Sequence, residues 1–373
     1  MKEILYYNAG SVRLLMKSNP ESISEYTTSD SKYLFDFYEK HNMNLNAVYD
    51  RTGNTPHYLN IKEGLHRIPE IGSFNKSFRQ CVEERAKELV SFNKKINVIW
   101  SGGIDSTLVL FALLKQVNDP KQINVYATYT SILESGYFFE KYIIPTGVNY
   151  YIKVSSIKDF DEVPDDELFV TGFYGNQLFG PVDDFTTGKV KTEISFFHHQ
   201  FTSPDPLTDY TKCLSDEFHE FLLPSIKASP KAIETVRDLR WWLIFNFDWY
   251  TSEYSVRVSS NSKIQNQIYH FFNTDDFQRY VLSTKEPFTK EVGNPLTHRW
   301  VMRELIEEWS GDNYFAWKKP KGISSLSNSI PSWLFLLEDF SVFYIKNNMW
   351  FDVLKSSKTR LEHLMPHGYN RPN

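Results

Sequence analysis

The sequence predicts an α/β fold built on a doubly wound parallel sheet, with a C-terminal helical region and a small N-terminal appendage. Three observations carry that expectation. Four short apolar runs, 96–100, 123–128, 150–154 and 168–171, have the length and composition of strands. Helix-like stretches at 106–116 and 134–144 separate the first three runs, and alternation of this kind favours parallel strands joined by crossovers. The first run passes directly into Ser101-Gly102-Gly103-Ile104-Asp105-Ser106-Thr107 and then into Leu108-Val109-Leu110-Phe111-Ala112-Leu113-Leu114, the order strand, glycine loop, helix.

In chain order, residues 1–72 form the appendage. They mix short apolar runs with the turn-rich stretch Asp50-Arg51-Thr52-Gly53-Asn54-Thr55-Pro56, the pattern of a small α/β or β-rich unit. Phe74, Phe78, Val82, Ala86, Leu89 and Val90 recur at helical spacing, so an amphipathic helix leads into the first core strand. The α/β core is expected over 73–205. Beyond it, Pro204, Pro206, Pro224 and Pro230 punctuate helical segments, and 206–373 is expected to be a mainly helical domain that completes the active site. Residues 240–250 carry aromatic rings on every helical face, which predicts a buried helix rather than a base-stacking surface.

Composition narrows the function classes. The chain has 373 residues, 41% hydrophobic and 23% charged, which excludes a disordered protein. A formal net charge of −5 supplies no overall basic field and argues against nucleic acid as a partner. Cys81 and Cys213 are the two cysteines, with no C-x-x-C pair, so neither a disulfide framework nor a thiolate zinc site is available. Charges interrupt the first 17 residues, and no run of about 20 apolar residues occurs. A cytoplasmic protein without a membrane span is expected.

The glycine loop suits a phosphate. Gly102 and Gly103 let the backbone turn sharply, and the following helix adds its N-terminal donors and positive dipole end. No G-x-x-x-x-G-K-[ST] occurs in the chain, so this is not a Walker loop. Ser101, Ser106 and Thr107 are candidate phosphate donors instead. Asp105 beside phosphate calls for a bridging Mg²⁺, a hard cation that takes carboxylate and phosphate oxygens together. A second glycine loop, Gly172-Phe173-Tyr174-Gly175-Asn176-Gln177-Leu178-Phe179-Gly180, follows the fourth strand.

The first loop, SGGxDS behind a strand, resembles the PP-loop of the N-type ATP pyrophosphatases, whose fold is adenine nucleotide alpha hydrolase-like and which cleave ATP between its α and β phosphates. With the second loop, the chain looks like the synthetase domain of asparagine synthetase and its relatives, the β-lactam synthetases among them. In that family a loop S-G-x-G-[AS]-D-E-L-F-G-G follows a later strand. Phe315-Ala316-Trp317-Lys318-Lys319-Pro320-Lys321-Gly322 is similar to the family's R-x-K-x-x-F segment, with Lys321 at the third position. His298 to Leu305 looks like its K-x-x-x-R helix, and Phe271 to Asp276 loosely resembles its P-F-L-D segment. The similarity spans roughly residues 75 to 330.

The resemblance implies ATP and Mg²⁺ bound by Ser101, Gly102, Gly103, Asp105, Ser106, Thr107, Gly172 and Gly175, with Asp105 and Asn176 as metal ligands. Lys321, with Asp105, is the implied catalytic residue, neutralising charge on the α phosphate or departing pyrophosphate. Three family carboxylates fall on neutral residues, Asn176, Gln177 and Phe173, which argues against ordinary asparagine synthesis. Glutamine-using members begin with a catalytic Cys, whereas this sequence begins Met1-Lys2-Glu3, so a glutaminase domain is not expected. The expected activity is an AMP-forming ligase that adenylates a carboxylate or amide oxygen of a small molecule and transfers it to ammonia or an amine. A separate amidotransferase or other nitrogen donor is a candidate partner. Two alternatives stand beside it: a PP-loop enzyme that modifies a nucleobase or tRNA, and a nucleotide-binding homologue without catalysis.

Overall fold

A computed structural model describes residues 2–4, 9–40, 49–62, 67–153, 164, 166–180, 205, 207–249, 265–284, 288–290, 297–313, 335–336, 342–346 and 349–352. The chain divides into two compact units made of interleaved segments. One comprises Ser77–Phe173, Ser260–Phe271 and Trp300–Asn373, the other Met1–Lys76, Tyr174–Ser259 and Phe272–Arg299. Sequence periodicity suggests contiguous divisions after residues 72 and 205, because it registers neighbours along the chain and not segments that return from a distance.

The first unit is built on a five-stranded, all-parallel sheet: β1 Lys95–Trp100, β2 Ile123–Thr128, β3 Asn149–Lys153, β4 Glu167–Thr171 and β5 Ile268–His270. Their order is β3-β2-β1-β4-β5. The α/β expectation holds, and the four predicted runs lie within a residue or two of β1 to β4. β5 was not legible, since three residues are too short to display a period.

One face of the sheet is apolar. Ile96, Val98 and Trp100 of β1 and Ile123, Val125 and Ala127 of β2 are buried. Trp100 stacks on Phe138 at 5.9 Å, and Phe111 of helix Ile104–Leu114 meets the same ring edge-on at 5.3 Å. Helix Phe78–Ser91 starts at a Ser77/Gln80 capping box, which satisfies backbone donors that would otherwise be left open. Both it and helix Trp300–Ser310 pack on helix Ile104–Leu114, whose residues Ser106 to Leu113 are all buried.

A polar ladder crosses the other face. Asn149 Nδ2 donates to Asn124 Oδ1 at 3.0 Å, Asn124 Nδ2 to Asn97 Oδ1 at 2.8 Å, and Asn97 Nδ2 to Glu167 Oε2 at 2.8 Å. Asn97 pairs with Asn124, and Asn124 with Asn149, in the strand register, so four strands are joined by side chains as well as backbone. Asn97 is fully buried, where such amides are costly unless bonded.

The second unit is mainly helical. Among the described residues its N-terminal part holds helices Ala9–Ser18 and Ser31–Lys40, the 3-10 turn Pro20–Tyr26 and the isolated bridges Ile4–Ile61 and Thr27–Leu59. Leu34, Phe35, Phe37 and Tyr38 form the buried stripe of the second helix. Helix Val236–Phe247 is the expected buried aromatic helix, and every residue from Leu239 to Phe247 is buried. Asp50 and Arg51 dock on it: Asp50 Oδ1 accepts from Asn246 Nδ2 at 2.7 Å, and Arg51 Nη1 donates to Phe245 O at 2.9 Å. The Arg51 guanidinium lies over Trp249 at 4.3 Å and Phe245 at 4.9 Å, and burial brings its pKa down to about 9.

Lys231 fixes the end of helix Asp275–Ser283, donating from Nζ to Val281 O at 3.0 Å and Thr284 O at 2.9 Å, with its ammonium over the rings of Trp241 and Phe288. Burial pushes its ammonium down to about 8. Late in the chain, Phe335–Leu336, Val342–Lys346 and Met349–Asp352 form a three-stranded antiparallel sheet, so the region after residue 206 is not helical throughout. Among the described residues no helix is long and apolar enough to cross a membrane.

Two stability measurements test these contacts. Asn97→Leu leaves a buried amide and the Glu167 carboxylate without their bond and is expected to cost about 2–3 kcal/mol in urea denaturation. Because Lys231 titrates lower in the folded state than its ordinary 10.5, the unfolded chain holds more protons between pH 8 and 10.5. Its contribution to stability therefore rises with pH through that window. Lys231→Met should remove this rise, read as a flatter wild-type-referenced unfolding free energy between pH 8 and 10.

Candidate functional site

The strand order creates the site. From β1 the chain moves outward through β2 to β3, then returns to β4 on the opposite side of β1, so the connections leave β1 and β4 in opposite directions. Open α/β sheets bind ligands beyond the carboxyl ends of the strands at such a reversal. Ser101 follows β1 and Gly172 follows β4. Both glycine loops thus begin at the reversal point.

The first loop is closed by its own hydroxyls. Ser106 Oγ accepts from Ser101 N at 3.1 Å and lies 3.0 Å from Ser101 Oγ, which accepts in turn from Gly103 N at 3.3 Å. Gly102 has φ +79°, a left-handed conformation that suits glycine. Gly103 caps helix Ile104–Leu114 in extended conformation and supplies no side-chain hydrogen bond to the helix start. The first helical bond runs from Thr107 N to Gly103 O at 3.1 Å, so the amides ahead of it fall in the turn that a helix leaves open to an anion. Asp105 sits in that first turn with Oδ1 buried.

Gly172 brings the second loop against the first. A Cβ on Gly172 would lie 2.7 Å from Ser106 N and 2.9 Å from Ser106 Cα, distances that only a hydrogen at this position can tolerate. Thr107 departs from its predicted part: its hydroxyl is fully buried and accepts from Trp100 Nε1 at 3.0 Å, which ties the helix to β1.

The remaining predicted residues distribute differently. Gly175 and Asn176 belong to the helical unit, in helix Gly175–Phe179, entered through Tyr174 at φ +76°. Asn176 Oδ1 accepts from Arg299 Nη2, so a cation at this oxygen would first have to displace a guanidinium. Gln177 is buried and donates to Asp248 Oδ2 at 3.0 Å. Lys321 lies outside the described residues.

Thr171 and His270 were missed. They end the paired strands β4 and β5 in register, with Thr171 Oγ1 and His270 Nδ1 2.7 Å apart. Phe173 N donates to the same hydroxyl at 3.3 Å, and the Phe173 ring meets the His270 ring edge-on at 5.7 Å and 77°. Only the pairing of a strand nearly 100 residues away makes His270 a neighbour, and a histidine after Ile268-Tyr269 carries no local signal.

Among the described residues no group of three or more His, Cys, Asp or Glu is placed to hold a metal ion. The donor set offers Asp105 alone at the loop, which fits Mg²⁺ held by one carboxylate together with phosphate oxygens. The chain matches no protein-family model and no curated protein sequence.

The contact at Gly172 gives a direct test. Gly172→Ala should force the two loops apart at a cost of about 1–3 kcal/mol and shift the Ser106 amide resonance in an NMR spectrum.

Proposed function

We propose that this chain is a PP-loop, AMP-forming ligase that activates a carboxylate or amide oxygen of a small molecule with ATP and passes it to ammonia or an amine. The observation that carries the reading is the Ser101–Thr107 loop at the strand-order reversal, with Gly172 packed against the amide of Ser106. A loop of amides and hydroxyls with one carboxylate suits a polyphosphate that stays in place while its α phosphorus reacts.

In the activation step an acceptor carboxylate oxygen attacks the α phosphorus. The bond from that phosphorus to the α–β bridging oxygen breaks, and pyrophosphate departs with the electron pair. The nitrogen of ammonia or an amine then attacks the activated carbon, its bond to the AMP oxygen breaks, and a nitrogen-bound proton is lost to water. Ser101 and Ser106, with the amides at the helix start, hold the pyrophosphate portion. Gly102 and Gly103 let the backbone approach it, and Asp105 would hold Mg²⁺, which when bound would offset the charge on the leaving group. Lys321 supplies a further positive charge by its resemblance to the family lysine. Asp105 carries the metal assignment more firmly than Asn176, whose oxygen faces Arg299.

The test is product identity. With ATP, Mg²⁺ and a panel of carboxylates and amines, the protein should release AMP and pyrophosphate in equal amounts. Asp105→Ala should lower this release about 10²-fold or more while the far-ultraviolet circular dichroism stays unchanged. Formation of ADP and phosphate, or undiminished release by Asp105→Ala, would sink the proposal.

A further inference from the structure

We infer that Phe173 is an acceptor-binding surface, and that the molecule activated at the loop carries a ring or comparable apolar group that covers it. The inference rests on the ligase reading and adds to it the class of acceptor.

Phe173 is 45% exposed, and among the described residues it is the one exposed large apolar side chain in either glycine loop. An aromatic ring left in water gives up burial that a partner would restore. This ring is nevertheless held. His270 is buried and meets it edge-on, Thr171 fixes the imidazole through Nδ1, and the same Thr171 hydroxyl accepts the Phe173 amide. The backbone of Phe173 and one side of its ring are thus anchored on two adjacent strand ends, while the rest of the ring faces solvent. An exposed side chain held in this way offers a partner a surface that needs little ordering on contact.

Its placement links it to the phosphate loop. Gly172, the preceding residue, lies against Ser106 in the first turn of the loop helix. Consecutive Cα atoms are about 3.8 Å apart, so Phe173 leaves β4 beside that contact, at the same carboxyl edge of the sheet from which the loop departs. A small carboxylate such as propionate leaves the ring uncovered; a phenyl-bearing one buries it. Binding sites of this kind combine a few polar groups with such apolar walls.

The test uses the full chain with Mg²⁺ and a non-hydrolysable α,β-methylene ATP analogue, and pairs 3-phenylpropionate with propionate. Calorimetric titration measures the analogue, and saturation-transfer NMR measures each carboxylate. The wild-type chain should bind 3-phenylpropionate about tenfold more tightly than propionate, the scale of burying part of one ring. Phe173→Ala should bind the two equally weakly with analogue affinity within about twofold of wild type, and Phe173→Leu should keep part of the preference. Equal binding of both carboxylates by the wild type, or a preference that survives Phe173→Ala, overturns the inference while leaving analogue binding intact. A wild-type chain that fails to bind the analogue overturns the ligase reading, and the inference with it, in the titration alone.

Discussion

The side-chain ladder from Asn149 through Asn124 and Asn97 to Glu167 governs the geometry on which the site depends. Parallel strands that are apolar on both faces can slip in register with little penalty, whereas a buried amide bonded on both sides cannot. Each donor points the same way along the row and the row ends on a carboxylate, which strengthens the terminal bond. Four residues beyond Asn97 stands Ser101, and four beyond Glu167 stands Thr171. Fixing the early ends of β1 and β4 therefore fixes where both loops leave the sheet.

That alignment makes the Gly172 contact with Ser106 attainable. With the loops delivered to the same edge, the absence of a side chain at one position decides whether they touch. Trp100 and Thr107 reinforce the arrangement from below, joining the last residue of β1 to the helix that begins at the loop. The helical unit uses a different device. Arg51 and Lys231 are cations held by carbonyl or amide oxygens and aromatic faces, which anchor chain segments at the expense of their ordinary basicity.

Much of the sheet was legible because each of β1 to β4 announces itself locally. An apolar run followed by a glycine loop is a signal confined to a dozen residues, and the Ser101–Thr107 segment carries it in full. The aromatic helix was legible for the same reason, as rings around a whole helix leave only burial. β5, and with it the Thr171–His270 pair, was hidden because its meaning lies in a partner strand far away in sequence. Thr107 looked like a phosphate donor beside Ser106, and only the Trp100 indole explains why its hydroxyl turns inward. The motif places Asn176 and Gln177 in a loop; their bonds to Arg299 and Asp248 depend on residues far along the chain that the motif does not contain.

The interleaving of the two units has a consequence for how the chain must be made. It passes between them after Lys76, Phe173, Ser259, Phe271 and Arg299, so neither unit is a continuous piece of polypeptide. A ribosome that has released β1 to β4 has still to deliver β5, and the sheet acquires its fifth strand only after most of the helical unit has emerged. Contacts between segments this distant close slowly, since the intervening chain must be ordered before they form. A cut after Phe173, Ser259 or Phe271 leaves each piece without segments of both units at once, which binds the maturation of the glycine loops to the synthesis of most of the chain.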